Sequence, residues 1–237
     1  MFTLFFVAPE EITSDEIQLR GTQAHHAITV LRVQKGELLR LANGIGDWVE
    51  GPITAIGKDM LTIDVQTRGQ DKSAKATITI AQAVLKGENQ KAALDQLVQA
   101  GVDSIIPWQA QRSIGTLDKH EKWREVIHAA ARQSRRARIP ELASMTTLDG
   151  VLAAHAQFDL TIAFHESATV SLSAINKIAD AHQVLAIIGP EGGLSNEELE
   201  QLQSSGIPSV KLGDPVIRAD LAGAIALGAL KVLTKEW

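Results

Sequence analysis

The 237-residue chain contains no cysteine, which excludes a disulfide framework and any thiolate metal site. This absence fits a reducing compartment, so we expect a cytoplasmic location. Nowhere do as many as about 18 apolar residues follow one another, so we expect no membrane-spanning segment and no membrane partner. The N-terminal run MFTLFFVAPEE has no basic region before it and leads at once into acids, which indicates a strand and not a signal peptide.

Positive charge is scarce overall but concentrated in one segment. The formal net charge is −5, which by itself disfavours a nucleic-acid partner. Between Arg112 and Arg138, however, eight lysines and arginines stand against three acids. An acidic protein with one basic segment can repel polyanions in general and still hold one at a chosen place.

Residues 1–70 have the pattern of a small β-barrel or half-barrel. Three strand-like runs, broken by glycine-containing turns, are ELLRLAN, DWVEGPITAI and MLTIDVQ. A helix, TQAHHAITVLR, interrupts them, with Thr22 as its expected N-cap. The polar stretch at 67–76, TRGQDKSAKA, is the expected linker to the rest of the chain.

From Thr77 onward, short apolar runs alternate with helical patterns. The runs, which suit buried parallel strands, are ITIAQAV, SIIPW, FDLTIAF, VLAIIG and SVKL. One helix is expected to bury the face formed by Trp123, Val126, Ile127, Ala130 and Ala131. Ser195 and Glu198 have the spacing of a capping box that opens a later helix. The alternation predicts an α/β domain with a parallel sheet.

The stretch VLAIIGPEGGLSNEELE places a bare, glycine-rich turn between a strand and a helix. Ligands of α/β proteins bind at this edge of the sheet, and glycines let backbone approach a ligand closely. The spacing is neither G-x-G-x-x-G nor a Walker sequence, Pro190 removes an amide donor, and Glu191 would repel a phosphate. The turn therefore favours a ligand that is neutral or cationic, or one whose hydroxyl and amino groups can bind a carboxylate and carbonyls. The alternative is a tight turn with a solvated glutamate.

A second unusual stretch is VKLGDPVIRADLAGAIALGAL, in which Arg218 precedes a helix built almost entirely of small residues. A helix with so little side-chain bulk can pack its backbone directly against another helix or a chain segment that passes close by. The simpler alternative is a C-terminal helix that is merely buried.

Together the two stretches resemble the SPOUT class of S-adenosylmethionine-dependent RNA methyltransferases, and most closely the RsmE family, which methylates N3 of a uridine in 16S rRNA. The resemblance covers the whole chain. Its motifs are HHAITVLRVQKGE, LKGENQKAALDQLVQAGVDSIIPWQAQRS, KWREVIHAAARQSRR, and IIGPEGGLSNEE followed by LGDPVIRADLA. One departure lies at residues 217–222, where the family usually reads Leu-Arg-Thr-Glu-Thr-Ala and this chain reads Ile-Arg-Ala-Asp-Leu-Ala.

The resemblance implies a PUA-like β-barrel at residues 1–70 and a SPOUT methyltransferase domain with a deep trefoil knot at 77–237. It also implies a homodimer packed through the knot helices and S-adenosylmethionine as the cofactor. The cofactor-binding residues that it implies form three loops: Phe164, His165 and Glu166; Gly189, Pro190, Glu191, Gly192 and Gly193; and Leu212, Gly213, Pro215, Val216 and Ile217.

Arg218 is the expected catalytic residue, because a guanidinium stays protonated and can stabilise the anion of a deprotonated uridine. The proton acceptor stays open between water, His165 and Glu166. The implied partner is 16S rRNA in the small ribosomal subunit. The candidate RNA contacts are all arginines: Arg32, Arg112, Arg132, Arg135, Arg136 and Arg138.

Two other functions remain open at this point. The first is ribose 2′-O methylation on the same fold, and the second is an RNA-binding protein whose catalysis is impaired by the changes at residues 217–222. A dinucleotide-binding enzyme is disfavoured, because both nucleotide fingerprints are missing. We expect no metal, since His165-Glu166 opens no H-E-x-x-H motif.

Overall fold

A computed structural model describes residues 3–72, 74–115 and 120–237. The chain divides into two compact units, each with a sheet of its own. The first unit comprises residues 1–73 and 128–139, and the second comprises 74–127 and 140–237. The first unit thus includes residues 128–139, a segment that lies within the implied second domain of the sequence.

The first unit is mostly β-structure. Its elements are β1 (Thr3–Phe6), β2 (Glu16–Arg20), α1 (Gly21–Thr29), β3 (Leu38–Ala42), β4 (Asp47–Ile56), β5 (Met60–Asp64) and β6 (Thr67–Gln70), with a short 3-10 helix at Glu11–Thr13. The strand order is β1-β3-β4-β5-β2, with β6 paired to β4. The pair β1 and β3 is parallel, and the other pairs are antiparallel. The sheet encloses an apolar core that includes the fully buried Phe5, Leu41 and Ile63.

The predicted strand runs of this unit are confirmed, but two expectations were wrong. Helix α1 begins at Gly21 with Arg20 as its N-cap, so Thr22 lies inside the helix. Gly21, at φ +65°, lets the chain turn from β2 directly into the helix. Residues 67–70 of the expected linker form β6, because backbone pairing with β4 makes a strand without any apolar alternation. Gly69 leaves room there for the ring of Trp48.

The second unit alternates strands and helices, as the apolar runs predict. Its elements are β7 (Thr77–Ala83), α2 (Glu88–Gln99), β8 (Ser104–Gln109), α3 (His120–Gln133, whose end belongs to the first unit), β9 (Glu141–Leu142), β10 (Thr146–Thr147), α4 (Leu148–His155), β11 (Leu160–Phe164), β12 (Val170–Ser171), β13 (Gln183–Ile188), α5 (Asn196–Ser204), β14 (Ser209–Lys211) and α6 (Ala219–Leu233). Short 3-10 helices lie at Leu172–Ala174 and Ile178–Asp180.

The sheet of the second unit is parallel, in the order β10-β8-β7-β13-β11-β14-β12, with β9 paired to β8. The central strand β13 is buried along nearly all of its length. The indole of the buried Trp108 donates to the carbonyls of Ala81 and Ile188, both at 3.2 Å, and so ties together the ends of β7 and β13. The predicted α/β parallel sheet is confirmed.

The small-residue helix α6 packs closely against the sheet and α2. A Cβ on Gly223 would lie 2.9 Å from Oε1 of Gln82 on β7 and 3.1 Å from Cδ2 of Leu97 on α2. The next turns of the helix bury Ala226, Leu227 and Leu230. The expectation that α6 presses its backbone against its neighbours is confirmed.

Candidate functional site

Three neighbouring strands end at the same edge of the parallel sheet. β11 lies between β13 and β14, with Phe164 in register with Ile188 on one side and Val210 on the other. The segments that follow these strands therefore meet in space. We call residues 189–194 the glycine loop, residues 165–167 the middle loop and residues 212–218 the arginine loop.

The three loops enclose a cavity of about 280 Å³. All but one of the implied cofactor residues line it, and so does Arg218. The lining residues that were expected are Phe164, His165, Glu166, Gly189, Pro190, Glu191, Gly193, Leu212, Gly213, Pro215, Val216, Ile217 and Arg218. The residue that stands apart is Gly192, where a Cβ would lie 3.1 Å from Cβ of Arg112. At this position the missing side chain makes room for an arginine of the chain itself.

The glycine loop is a tight turn that leads into α5. The amide of Gly193, at φ +69°, donates to the carbonyl of Pro190 at 2.9 Å. The predicted capping box follows: Ser195 Oγ accepts from the amide of Glu198 at 3.1 Å, and Glu198 Oε2 accepts from the amide of Ser195 at 2.7 Å. The entry to α5 is therefore well fixed.

Glu191 is held by the segment that follows β7. Its Oε1 accepts from the backbone amide of Lys86 at 3.0 Å and from Nδ2 of Asn89 at 2.9 Å. Burial by itself raises the pKa of this carboxyl, but the hydrogen bonds from Asn89, from its own amide and from Lys86 outweigh burial and leave the pKa below its ordinary value. Glu191 therefore lines the cavity as a hydrogen-bonded carboxylate and is not merely a solvated side chain.

Arg218 makes a two-pronged ion pair with Asp220. Its Nε and Nη2 donate to the two carboxylate oxygens of Asp220, each at 3.0 Å, and Nη2 also lies 3.4 Å from Oδ1 of Asn89. The side chain of Arg218 is 73% exposed, whereas that of Asp220 is 13% exposed. The acid of the altered segment therefore holds an exposed guanidinium in place at the cavity.

Asn89 and Asp220 are among the site residues that the sequence did not identify. Asn89 lies at the start of α2 and joins the two sides of the cavity, since its amide donates to Glu191 and its carbonyl oxygen faces Arg218. A signal was available, because β7 is the other neighbour of β13 and the segment after β7 must reach the same edge.

The remaining ionisable groups of the cavity are arranged around the middle and arginine loops. Nδ1 of His165 accepts from the amide of Ser167 at 3.3 Å. Lys211 donates to Asp214 at 2.8 Å, and this hydrogen bond holds the pKa of Asp214 below its ordinary value. Glu166 is exposed.

The candidate RNA contacts fall into both units. Arg112 belongs to the second unit and bonds to the glycine loop, with Nη1 3.0 Å from the carbonyl oxygen of Gly192 and 3.2 Å from that of Leu194. The others belong to the first unit: Arg32, Arg132, Arg135, Arg136 and Arg138. Arg32 and Arg135 have left-handed backbone conformations, at φ 55° and 59°. The predicted apolar face of α3 is confirmed, with Trp123, Ile127 and Ala131 buried.

Comparison with known proteins identifies the class to which this fold and cavity belong. Residues 72–231 match the RNA methyltransferase domain, and residues 19–66 match the RNA methyltransferase PUA domain. The chain is 34% identical to ribosomal RNA small subunit methyltransferase E of Mycobacterium bovis, over 99% of this chain and 93% of that protein. The chain therefore belongs to the RsmE family of RNA methyltransferases, which confirms the resemblance found in the sequence.

Solved structures agree with this family assignment. A Legionella pneumophila protein, solved in complex with the bound cofactor SAM, matches with a TM-score of 0.87 at 26% identity over 98% of both chains. Ribosomal RNA small subunit methyltransferase E from Neisseria gonorrhoeae, bound to S-adenosyl methionine, has the same fold, with a TM-score of 0.87 at 22% identity over 98% of both chains.

The described part of the chain offers neither a membrane-spanning helix nor a cluster of metal ligands. Among the helices in the described ranges, none combines the length and the apolarity that crossing a bilayer requires. Within residues 3–72, 74–115 and 120–237, histidines and acids do not gather in the groups of three that could hold a metal ion.

Proposed function

We propose that the chain transfers a methyl group from S-adenosylmethionine to N3 of a uridine in 16S rRNA of the small ribosomal subunit. The observation that carries the proposal is the cavity at the edge of the sheet. It is lined by the glycine, middle and arginine loops and by Arg218, which is exposed and paired with Asp220. The names of the relatives support the choice of substrate, and a cytoplasmic location is part of the proposal.

The residues of the cavity fit this cofactor. S-adenosylmethionine carries a sulfonium and an ammonium group, and carboxylates of Glu166, Glu191 and Asp220 line the cavity. Pro190 and Glu191 make the glycine loop unsuited to a phosphate, which this cofactor lacks. Backbone of the three loops would enclose the adenosine and methionine parts. When bound, the cofactor supplies an electrophilic methyl group.

Arg218 acts on the developing charge of the uridine. Uridine N3 is a poor nucleophile until it loses its proton, and the resulting anion is stabilised by a fixed cation. The pair with Asp220 and the contact with Asn89 hold the guanidinium in one orientation at the mouth of the cavity. Such an oriented donor needs little reorganisation when the anion forms.

Removal of the N3 proton falls to water or to Glu166. His165 accepts a hydrogen bond at Nδ1 from the amide of Ser167, so its neutral ring carries the proton at Nε2. In that tautomer Nε2 donates and does not accept. Glu166 is exposed and lines the cavity, so it can exchange a proton with solvent.

The arginines of the first unit are proposed to hold phosphates of the folded rRNA, while the target base is turned out to reach the cavity. Each phosphate contact adds to the salt dependence of binding. Replacing both Arg132 and Arg138 with alanine should therefore reduce the log–log slope of RNA affinity against salt by about 2. An unchanged slope in a filter-binding or fluorescence titration would contradict the assignment.

A homodimer is also part of the proposal. Leu221, Ile225 and Val232 form one exposed apolar stripe along α6, and Trp237 beyond it is 66% exposed. Ile225→Glu should shift the protein from dimer to monomer in analytical ultracentrifugation. Ile56→Glu is the matched control, because Ile56 is equally exposed, at 40% against 39%, and lies in the first unit. If Ile225→Glu remains a dimer, this face of α6 is not the dimer interface.

The trefoil knot stays a prediction that the resemblance makes. A segment threaded past α6 needs a helix with little side-chain bulk, and Gly223 meets Gln82 and Leu97 at close range. This close packing of the α6 backbone against two side chains supports the proposal, since a threaded arrangement leaves little room for side-chain bulk on the helix.

The decisive test is methyl transfer to small ribosomal subunits that lack their natural uridine methylation, followed by digestion and nucleoside mass spectrometry. A 3-methyluridine peak is the expected result. A ribose-methylated nucleoside would show that the protein is an RNA methyltransferase but that it does not methylate N3 of the base. No product from a protein that binds S-adenosylmethionine would favour the catalytically impaired alternative.

A further inference from the structure

Arg112 begins the basic segment, and its charge alone would count it among the RNA contacts. Its hydrogen bonds point elsewhere. Nη1 donates to the carbonyl oxygens of Gly192 at 3.0 Å and of Leu194 at 3.2 Å, so one nitrogen joins the two ends of the last turn of the glycine loop. These bonds come from a charged donor, which makes them stronger than bonds between neutral groups.

The aliphatic part of the same side chain lies across Gly192. A Cβ on Gly192 would lie 3.1 Å from Cβ and 3.4 Å from Cδ of Arg112. Gly192 is also the implied cofactor residue that does not line the cavity, whereas Glu191 and Gly193 on either side do. Arg112 therefore packs against the glycine loop at the one loop residue that does not line the cavity.

The turn that carries Arg112 is itself anchored. Glu198 is 2% exposed; its Oε1 accepts from the amide of Gln111 at 2.8 Å, and its Oε2 accepts from the amide of Ser195 at 2.7 Å. Because both oxygens of this buried carboxylate accept hydrogen bonds, the side chain of Glu198 is held in one position. The hydrogen bonds form a closed ring: Arg112 holds the glycine loop, the loop leads into Ser195, and Glu198 returns to Gln111.

We infer that Arg112 is a positioning residue that fixes the glycine loop for the cofactor, and that it is not an RNA contact. The inference rests on the proposed function, because cofactor affinity is one of its readouts. A loop whose carbonyls are already fixed loses less conformational freedom when a ligand binds. Removing Arg112 should therefore lower the affinity for the cofactor, although Arg112 does not contact the cofactor.

The test compares Arg112→Ala, Arg112→Lys and the matched control Arg124→Ala, which removes the same charge from an exposed position of the same basic segment. For Arg112→Ala we expect the Kd of S-adenosylmethionine, measured calorimetrically, to rise about fivefold to tenfold, in line with the loss of one or two hydrogen bonds. Hydrogen exchange of the 189–194 amides should become faster. Arg112→Lys should restore part of the affinity, because an ammonium can still donate to a carbonyl.

RNA binding separates positioning from direct contact. With 16S rRNA as the probe, the salt slope of Arg112→Ala should equal that of the wild type. A flatter slope together with unchanged cofactor affinity would overturn the inference, and so would equal cofactor affinities for Arg112→Ala and Arg124→Ala. If the wild type transfers no methyl group, the proposed function fails, while hydrogen exchange of the glycine loop still reports whether Arg112 positions it.

Discussion

The glycine loop and the arginine loop follow strands of the same sheet and line the same cavity, yet they are held very differently. The glycine loop is braced from three directions: Asn89 and Lys86 bind Glu191, Arg112 binds two carbonyls, and Glu198 caps the following helix. The arginine loop is tied at its ends, by Lys211 to Asp214 and by Arg218 to Asp220. Its residues 213–216 are exposed.

The difference indicates that the two loops have different roles in the same cavity. A braced loop keeps its backbone in a single arrangement, which suits the recognition of a cofactor that does not vary. An exposed loop that ends in an oriented guanidinium can adjust to a large substrate, while its charge stays near the reacting atom.

The largest effect is expected at the end of the arginine loop. Arg218→Ala should reduce turnover by about 10² to 10³-fold, the usual effect of removing one charge-stabilising donor. The Kd of S-adenosylmethionine should change little, because the glycine loop keeps its braces. Single-turnover assays would measure the loss of turnover, and calorimetry would measure the Kd of S-adenosylmethionine. Equal losses in turnover and cofactor affinity would mean that both loops form one binding surface.

A pair of glycine substitutions tests the packing of the two loops. Gly192→Ala places a methyl group 3.1 Å from Cβ of Arg112, an atom close to the backbone that cannot swing away, so about 1–3 kcal/mol of stability should be lost. Gly213→Ala meets only Cδ of Pro215 at 3.8 Å and should be neutral or slightly stabilising. Thermal unfolding of both variants would check this. A destabilised Gly213→Ala would show the arginine loop to be packed as tightly.

Asn89 connects the two loops, so its loss should affect both at once. Asn89→Ala removes a donor to Glu191 and an acceptor for Arg218. A net loss of about 1 kcal/mol corresponds to a roughly fivefold weaker affinity for the cofactor, with a similar reduction in turnover. Asn89→Asp should restore the contact to Arg218 but repel Glu191, so it should recover turnover and not affinity. Recovery of both by Asn89→Asp would contradict the bridging arrangement.

The smallest effect concerns pH and salt. The pKa values of Glu191 and Asp214 both lie below their ordinary values of 4.5 and 3.8, so each carboxyl stabilises the fold above its ordinary pKa, and the contribution is lost as pH falls through the folded-state value. Glu191 is held by hydrogen bonds from Asn89 and from backbone amides, whereas Asp214, which is 93% exposed, is held by the charged side chain of Lys211. High salt should therefore return the pKa of Asp214 towards its ordinary value and leave that of Glu191 lowered. Titration by NMR at low and high salt would test the contrast.

Much of the second unit could be predicted from the sequence, because its signals are local. The apolar runs of β7, β8, β11, β13 and β14 and the capping box at Ser195 depend on residues a few positions apart. The same holds for the small-residue helix α6. Where local signals were weak, the predictions were wrong: Thr22 is not an N-cap, and Thr67–Gln70 is a strand without apolar alternation.

The local sequence patterns are sufficient to predict the alternation of strands and helices in the second unit, the family and the three loops that line the cavity. Which side chains meet in the cavity depends on the tertiary structure. Asn89 and Glu191 are 102 residues apart, and Arg112 and Gly192 are 80 residues apart. The order β7-β13-β11-β14 brings such residues together, and a strand order depends on packing across the whole sheet and not on any short pattern. For the same reason the charge of Arg112 indicated RNA, while its position in the fold indicates the glycine loop.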